Sequence, residues 1–158
     1  MKAFKILIMI FPLSILMGEF SYAQQNKIHS IADQDYVDLI NCINATPITT
    51  IRQGDTHPFI DMWMVVVDDR IFSRSWLGDP KGWYYKFLED KKGAIQCGDK
   101  FYQIEGIIPD DLDAINEKIN TAYIQKYGDG DHPEIAKQMI EAERMARTLE
   151  LKVIATRP

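Results

Sequence analysis

Histidine and cysteine are scarce in this chain, with three and two among 158 residues. His29, His57 and His132 have no metal-ligand spacing, and neither cysteine sits in a CxxC pair. A metal or thiol-redox centre therefore has no basis in the sequence. Nucleophile elbows and phosphate-binding P-loops are lacking. No Lys/Arg stripe stands out and the net charge is −5, which argues against a nucleic-acid partner. Internal repeats and low-complexity tracts are lacking as well, which argues against a solenoid or a disordered chain. Asp129-Gly130-Asp131 opens like a calcium loop, but its twelfth position is Ile140 rather than Glu; a turn with a helix cap is the simpler reading.

Long apolar runs are confined to the N-terminus. Lys2 and Lys5 precede a stretch from Ile6 to Met17 that is apolar apart from Ser14. Ser21-Tyr22-Ala23 then places small residues at −3 and −1 of a cleavage site, ahead of Gln24 and Gln25. This is the pattern of a secretory signal, and the run is short for a membrane span. Residues 1–23 are expected to be removed, leaving one domain over residues 24–158 in the periplasm or outside the cell, with no membrane attachment. Losing Lys2, Lys5 and Glu19 takes the charged residues from 18 basic and 23 acidic to 16 and 22, net −6. An oxidising compartment permits a Cys42–Cys97 bridge. Two separately buried thiols remain the alternative, because sequence gives no distance between them.

The remainder alternates helical and strand patterns. Ser30 to Asn44 reads as a helix with Tyr36, Leu39, Ile40 and Ile43 on one face. Pro47 to Gln53 reads as a strand. Ile60 to Val67 and Arg70 to Trp76 form a hairpin about Asp68-Asp69, pairing Val66 with Ile71, Met64 with Ser73 and Trp63 with Arg74. Asp79-Pro80 begins a helix that Gly93 ends. Ala94 to Cys97 and Lys100 to Ile108 form a second hairpin at Gly98-Asp99. Helices follow over Asp110 to Tyr127 and from Pro133 to about Met145, the second with Ala142 and Met145 inward. The closing strand, Thr148 to Ala155, turns Leu149, Leu151, Val153 and Ala155 inward and Glu150 and Lys152 to water. Six mostly antiparallel strands need closure or cover at their edges, so the expected architecture is an α+β, six-stranded antiparallel barrel with flanking helices.

The first hairpin is the most informative segment. Met62, Met64, Val66, Ile71, Ser73 and Ser75 share a face suited to a barrel interior. Asp61, Trp63, Val65, Phe72, Arg74 and Trp76 share the other, which is expected outside the barrel. Aromatics around a cation suit a flat anionic small molecule or a partner subunit, with Trp63 stacked on Arg74. The plainer reading covers this face with a helix and pairs Arg74 with Asp61. The strand then runs into a helix start at Asp79, where free amides with Arg74, Ser75 and Lys81 could hold a phosphate.

The stretches DMWMVVVDDRIFSRSWLGDPKGWYYKFLEDKKGAI, DDLDAINEKINTAYIQKYG and TLELKVIA resemble an uncharacterised bacterial family related to the flavin-binding split barrels. These include pyridoxamine-phosphate-oxidase-like and deazaflavin-dependent proteins. The resemblance runs from about Ile48 to Ala155. It implies a split β-barrel, a homodimer, and FMN or a deazaflavin at the dimer interface. By the same resemblance Arg74 and Ser75 would hold the cofactor phosphate, with Trp63 bordering the ring. Trp76, Lys81 and the first-loop Arg52 complete the expected cofactor-binding set, although that loop also carries an acidic Asp55. Two functions stay open: a flavin-type oxidoreductase, and a non-catalytic exported barrel that binds a small anionic or aromatic ligand or a partner protein. No residue is singled out as catalytic.

Overall fold

In the computed structural model, residues 34–130 and 133–154 are described. The expected signal segment, the first residues of the helix expected from Ser30, and Ala155 lie outside them. Helix α1 covers residues 34–45. Strands β1 (Thr49–Gln53), β2 (Ile60–Met62), β3 (Met64–Val67) and β4 (Arg70–Arg74) follow. Then come α2 (Trp83–Glu89), β5 (Lys92–Cys97), β6 (Lys100–Ile107), α3 (Leu112–Tyr127), α4 (Pro133–Met139), α5 (Ala142–Met145) and β7 (Thr148–Val153). The strands form one antiparallel sheet in the order β2-β1-β5-β6-β7-β4-β3.

Seven strands replace the expected six for one local reason. Ile60 to Val67 is a single extended run interrupted at Trp63. Its first part pairs with β1 and its second with β4, so one run supplies both ends of the sheet. The result is a nearly closed antiparallel barrel flanked by helices, the α+β architecture expected. Both hairpins keep the expected register, with Met64 opposite Ser73, Val66 opposite Ile71 and Cys97 opposite Lys100, but the expected Trp63–Arg74 pair is missing because the ladder ends at Met64. Asp68 and Asp69 both adopt positive φ, 49° and 58°, as a two-residue turn matched to strand twist requires.

The barrel interior is filled by Met62, Met64, Ile71, Ile95, Ile104, Leu149 and Leu151, with Leu39 and Ile43 of α1 and Phe87 of α2 closing it. A second core lies outside the barrel. There Val65, Val67 and Phe72 pack on Ile115, Ile119, Tyr123 and Tyr127 of α3 and Ile135, Ala136 and Met139 of α4. The hairpin's outer face is thus covered by helices rather than open, which corrects the expectation of an exposed aromatic surface.

Three boundaries and one burial differ from the sequence reading. Helix α2 begins at Trp83, because the Asp79 carboxylate accepts from the Lys81 amide and Gly82 N–H donates to the Asp79 carbonyl, forming a turn first. Gly93 does not end it; Gly93 lies in β5, where a Cβ would come within 2.5 Å of the Phe87 ring. The helix from Pro133 breaks after Met139, and Ala142 is exposed in a separate short helix. Glu150 is buried rather than solvated, because Arg70 Nη2 donates to it at 2.6 Å and to Asp111 at 2.9 Å.

Cys42 and Cys97 form a disulfide with Cα atoms 6.2 Å apart, joining α1 to β5. Of the two readings left open above, the bridge holds. It closes a loop across a sequence separation of 55, which on the chain-entropy account stabilises the fold by about 4 kcal/mol. Reduction, or Cys42→Ala with Cys97→Ala, should therefore lower the melting temperature markedly, and the oxidised protein should show no reactive thiol under denaturing conditions. Two titratable thiols in protein made in an oxidising compartment would contradict the bridge.

Candidate functional site

The interruption at Trp63 leaves backbone groups without strand partners, and α3 supplies them. Tyr127 hydroxyl accepts from Met64 N–H at 3.1 Å and donates to Met64 carbonyl at 2.8 Å. Tyr123 hydroxyl accepts from Arg74 N–H at 3.1 Å and donates to Trp63 carbonyl at 3.2 Å. Burial pushes the Tyr123 hydroxyl pKa up to about 12 and raises that of Tyr127, so both remain neutral donors at ordinary pH. Lys126 Nζ donates to the carbonyls of Met64 and of Ile43 in the last turn of α1. Burial lowers its pKa to about 8.

Arg74 is the largest fully buried side chain, at 1% exposure. Nε donates to Thr148 Oγ1 at 3.1 Å. Nη1 donates to Asn120 Oδ1 and the Met139 carbonyl, each at 2.7 Å. Nη2 donates to Asn116 Oδ1 at 2.9 Å and its carbonyl at 3.4 Å. These contacts engage all five guanidinium N–H groups. The guanidinium lies 5.4 Å from the Tyr123 ring centroid, not on Trp63, and no carboxylate contacts it among the described residues. Desolvation lowers its pKa, but neutral acceptors and an aromatic face hold the charge. The Arg74–Asp61 pair of the plainer reading does not form.

A groove of about 280 Å³ opens beside the interruption. All three tryptophans of the chain, Trp63, Trp76 and Trp83, line it, with Asp61, Ser75, Leu77 and Asp79. Trp63 and Trp76 meet with ring centroids 5.6 Å apart at an interplanar angle of 49°. Trp83 is steadied edge-on by Phe87, 6.1 Å between centroids. The rings thus come from three different segments of the chain. Such an aromatic-walled hollow with a few polar groups is the usual form of a small-molecule site.

Of the residues singled out from sequence, Trp63, Arg74, Ser75 and Trp76 come together here. Ser75 Oγ is already donating to Leu77 carbonyl. Lys81 is exposed and lines an adjoining hollow of about 150 Å³ with His57, Trp83 and Lys86. Arg52 stands apart, 4.8 Å from the Phe59 ring centroid and 3.8 Å from Asp55. Sequence reasoning missed Trp83 as a groove wall, because its helical spacing reads as core. It also missed the cradle of Asn116 and Asn120. Their signal was visible: two amides four apart on α3, one of them on its apolar face. Among the described residues, no group of three or more His, Cys, Asp or Glu is placed to hold a metal ion.

Because Arg74 belongs to a core, its loss should be felt in stability. Arg74→Met removes charge-assisted bonds and strands two amides and a carbonyl, a cost of about 3 kcal/mol. The melting temperature should fall by roughly 6–12 °C. Arg74→Lys should restore little of it, since an ammonium cannot reproduce the planar fork. A melting temperature unchanged in Arg74→Met would contradict the buried network.

The same barrel and helix arrangement occurs in the crystal structure described as the conserved hypothetical protein Rv2991 from Mycobacterium tuberculosis. That likeness has a TM-score of 0.51 and 15% identity, and covers 77% of this chain and 80% of that one. At this identity it speaks for the fold alone. No curated protein matches the chain. The family described as "Uncharacterized protein conserved in bacteria (DUF2255)" matches residues 37–151, which include the groove, its three tryptophans and the Arg74 cradle. The chain belongs to that bacterial family.

Proposed function

We propose that this protein is an exported ligand-binding barrel whose groove takes a planar aromatic small molecule. The carrying observation is the gathering of all three tryptophans around one hollow of ligand size. Tryptophan offers flat, polarisable faces, and stacked rings gain about 0.5–1.5 kcal/mol beyond simple burial. The resemblance to flavin-binding split barrels names one class of such rings, the flavins and deazaflavins, and with it an oxidoreductase reading.

The two halves of FMN fare differently here. The isoalloxazine ring fits the walls: Trp63, Trp76 and Trp83 would border it, and a bound flavin would itself supply hydride or electron transfer. The phosphate does not fit at Arg74, whose five N–H groups are all engaged. Nor does Ser75, which donates to Leu77 carbonyl, stand free to replace it. Ring binding is therefore the reading the geometry favours.

Export is supported by the Cys42–Cys97 bridge, since such bridges persist in oxidising compartments. A homodimer is the further proposal: Leu77, 65% exposed, and Ile60 rim the groove, and a second copy would cover them.

Riboflavin tests ring binding without a phosphate. Because every tryptophan lines the groove, titration should quench most of the intrinsic fluorescence, saturating with a Kd of roughly 1–100 μM. Trp83→Leu should weaken binding about tenfold, by removing one wall. No quenching of the folded protein up to about 1 mM riboflavin would sink the reading.

A further inference from the structure

The groove has an electrostatic sign. Among the described residues that line it, the one cation is Arg74, which keeps its charge but has its N–H groups taken by neutral acceptors and so offers a ligand none. The groove's anions are not so taken: Asp61 is exposed and its carboxylate makes no hydrogen bond or ion pair among the described residues. Asp79 has only one oxygen engaged, by the Lys81 amide. Of the surrounding cations, Arg147 makes no ion pair among the described residues, but its guanidinium lies against Gly78 and does not line the groove. Arg144 pairs with Glu141 at 2.5 Å while lying over Trp76, 5.5 Å from its ring centroid. Lys86 pairs with Glu89 at 2.9 Å. Lys81 makes no ion pair among the described residues, but it lines the adjoining hollow rather than the groove.

Aromatic faces beside an unpaired carboxylate are the chemistry that holds an organic cation. The tryptophan faces present the negative side of their ring quadrupoles. A carboxylate at the rim adds Coulombic attraction and accepts an N–H. The same arrangement sets two carboxylates against a phosphate and leaves it no free guanidinium N–H. From this we infer that the groove selects a planar heteroaromatic cation, with a neutral ring second and a phosphorylated ring last. The inference rests on the ring-binding reading above and adds the ligand's charge to it. It also reverses the order that a flavin-phosphate site would show.

Three probes of similar flat shape separate the two ideas: proflavine as the planar cation, riboflavin as the neutral ring and FMN as the phosphorylated one. Calorimetric titration of the mature, oxidised protein should give affinities in that order. Proflavine should bind at least roughly tenfold tighter than FMN at low salt, and the gap should shrink as salt screens it. Asp61→Asn should narrow the gap between proflavine and FMN roughly fivefold. Asp113→Asn, remote on α3, removes the same unit of charge and should leave the gap as it was. FMN binding more tightly than riboflavin would overturn the charge selection while leaving ring binding intact, as would equal affinity for all three probes. Equal effects of Asp61→Asn and Asp113→Asn would overturn it too, by reducing it to net charge. Failure of every probe to bind would overturn both readings together.

Discussion

One interrupted strand sets the rest of this structure. An extended run from Ile60 to Val67 must serve both edges of the sheet, and it does so by leaving the ladder at Trp63. The change of partner nearly closes the barrel and leaves only the short edge strands β2 and β3, which lessens the edge-strand hazard. It also exposes main-chain groups on both sides of the gap. Buried and unpaired, each would cost about 1–3 kcal/mol. Tyr123 and Tyr127, one helical turn apart on α3, cover that cost with hydroxyls that each accept and donate. Where the strand leaves the sheet, the groove opens, so the defect that nearly closes the barrel also makes the site.

Much of this fold was legible because it rests on local periodicity. Alternation fixed which hairpin face turns inward, and the two-residue turns fixed the register: Met64 faces Ser73 and Cys97 faces Lys100 as the pattern requires. What escaped was long-range. The strand interruption cannot be read from IDMWMVVV, which alternates without a glycine or proline to mark a bend. Gly93 looks like a helix stop, but its purpose is to admit the Phe87 ring against the sheet, a contact from another element. Glu150 sits at a water-facing position by alternation, yet it is buried because Arg70 reaches it from the neighbouring strand.

The site was legible in its members more than in their roles. Trp63, Arg74, Ser75 and Trp76 do line one groove. Arg74 was the natural candidate for an anion because a cation at a strand end, facing out, has water or a ligand as its partner. Here α3 and α4 lie over that face, and their amides and a carbonyl take the guanidinium. Sequence cannot show which helix will cover which face, so a ligand-binding arginine and a core arginine look alike. Trp83 shows the converse: its helical spacing suggests core, while its place at the start of α2 gives it one side toward the groove.

The most direct test of this account is amide hydrogen exchange at the interruption, residue by residue. Tyr127→Phe should accelerate exchange at the Met64 amide, and Tyr123→Phe at the Arg74 amide, each by roughly fivefold or more for one lost hydrogen bond. Amides in the middle of the sheet, such as those of Ile95 and Ile104, should keep their protection. Unchanged exchange at Met64 and Arg74, or a uniform acceleration across the whole sheet, would contradict the claim that two tyrosine hydroxyls hold the broken strand in place.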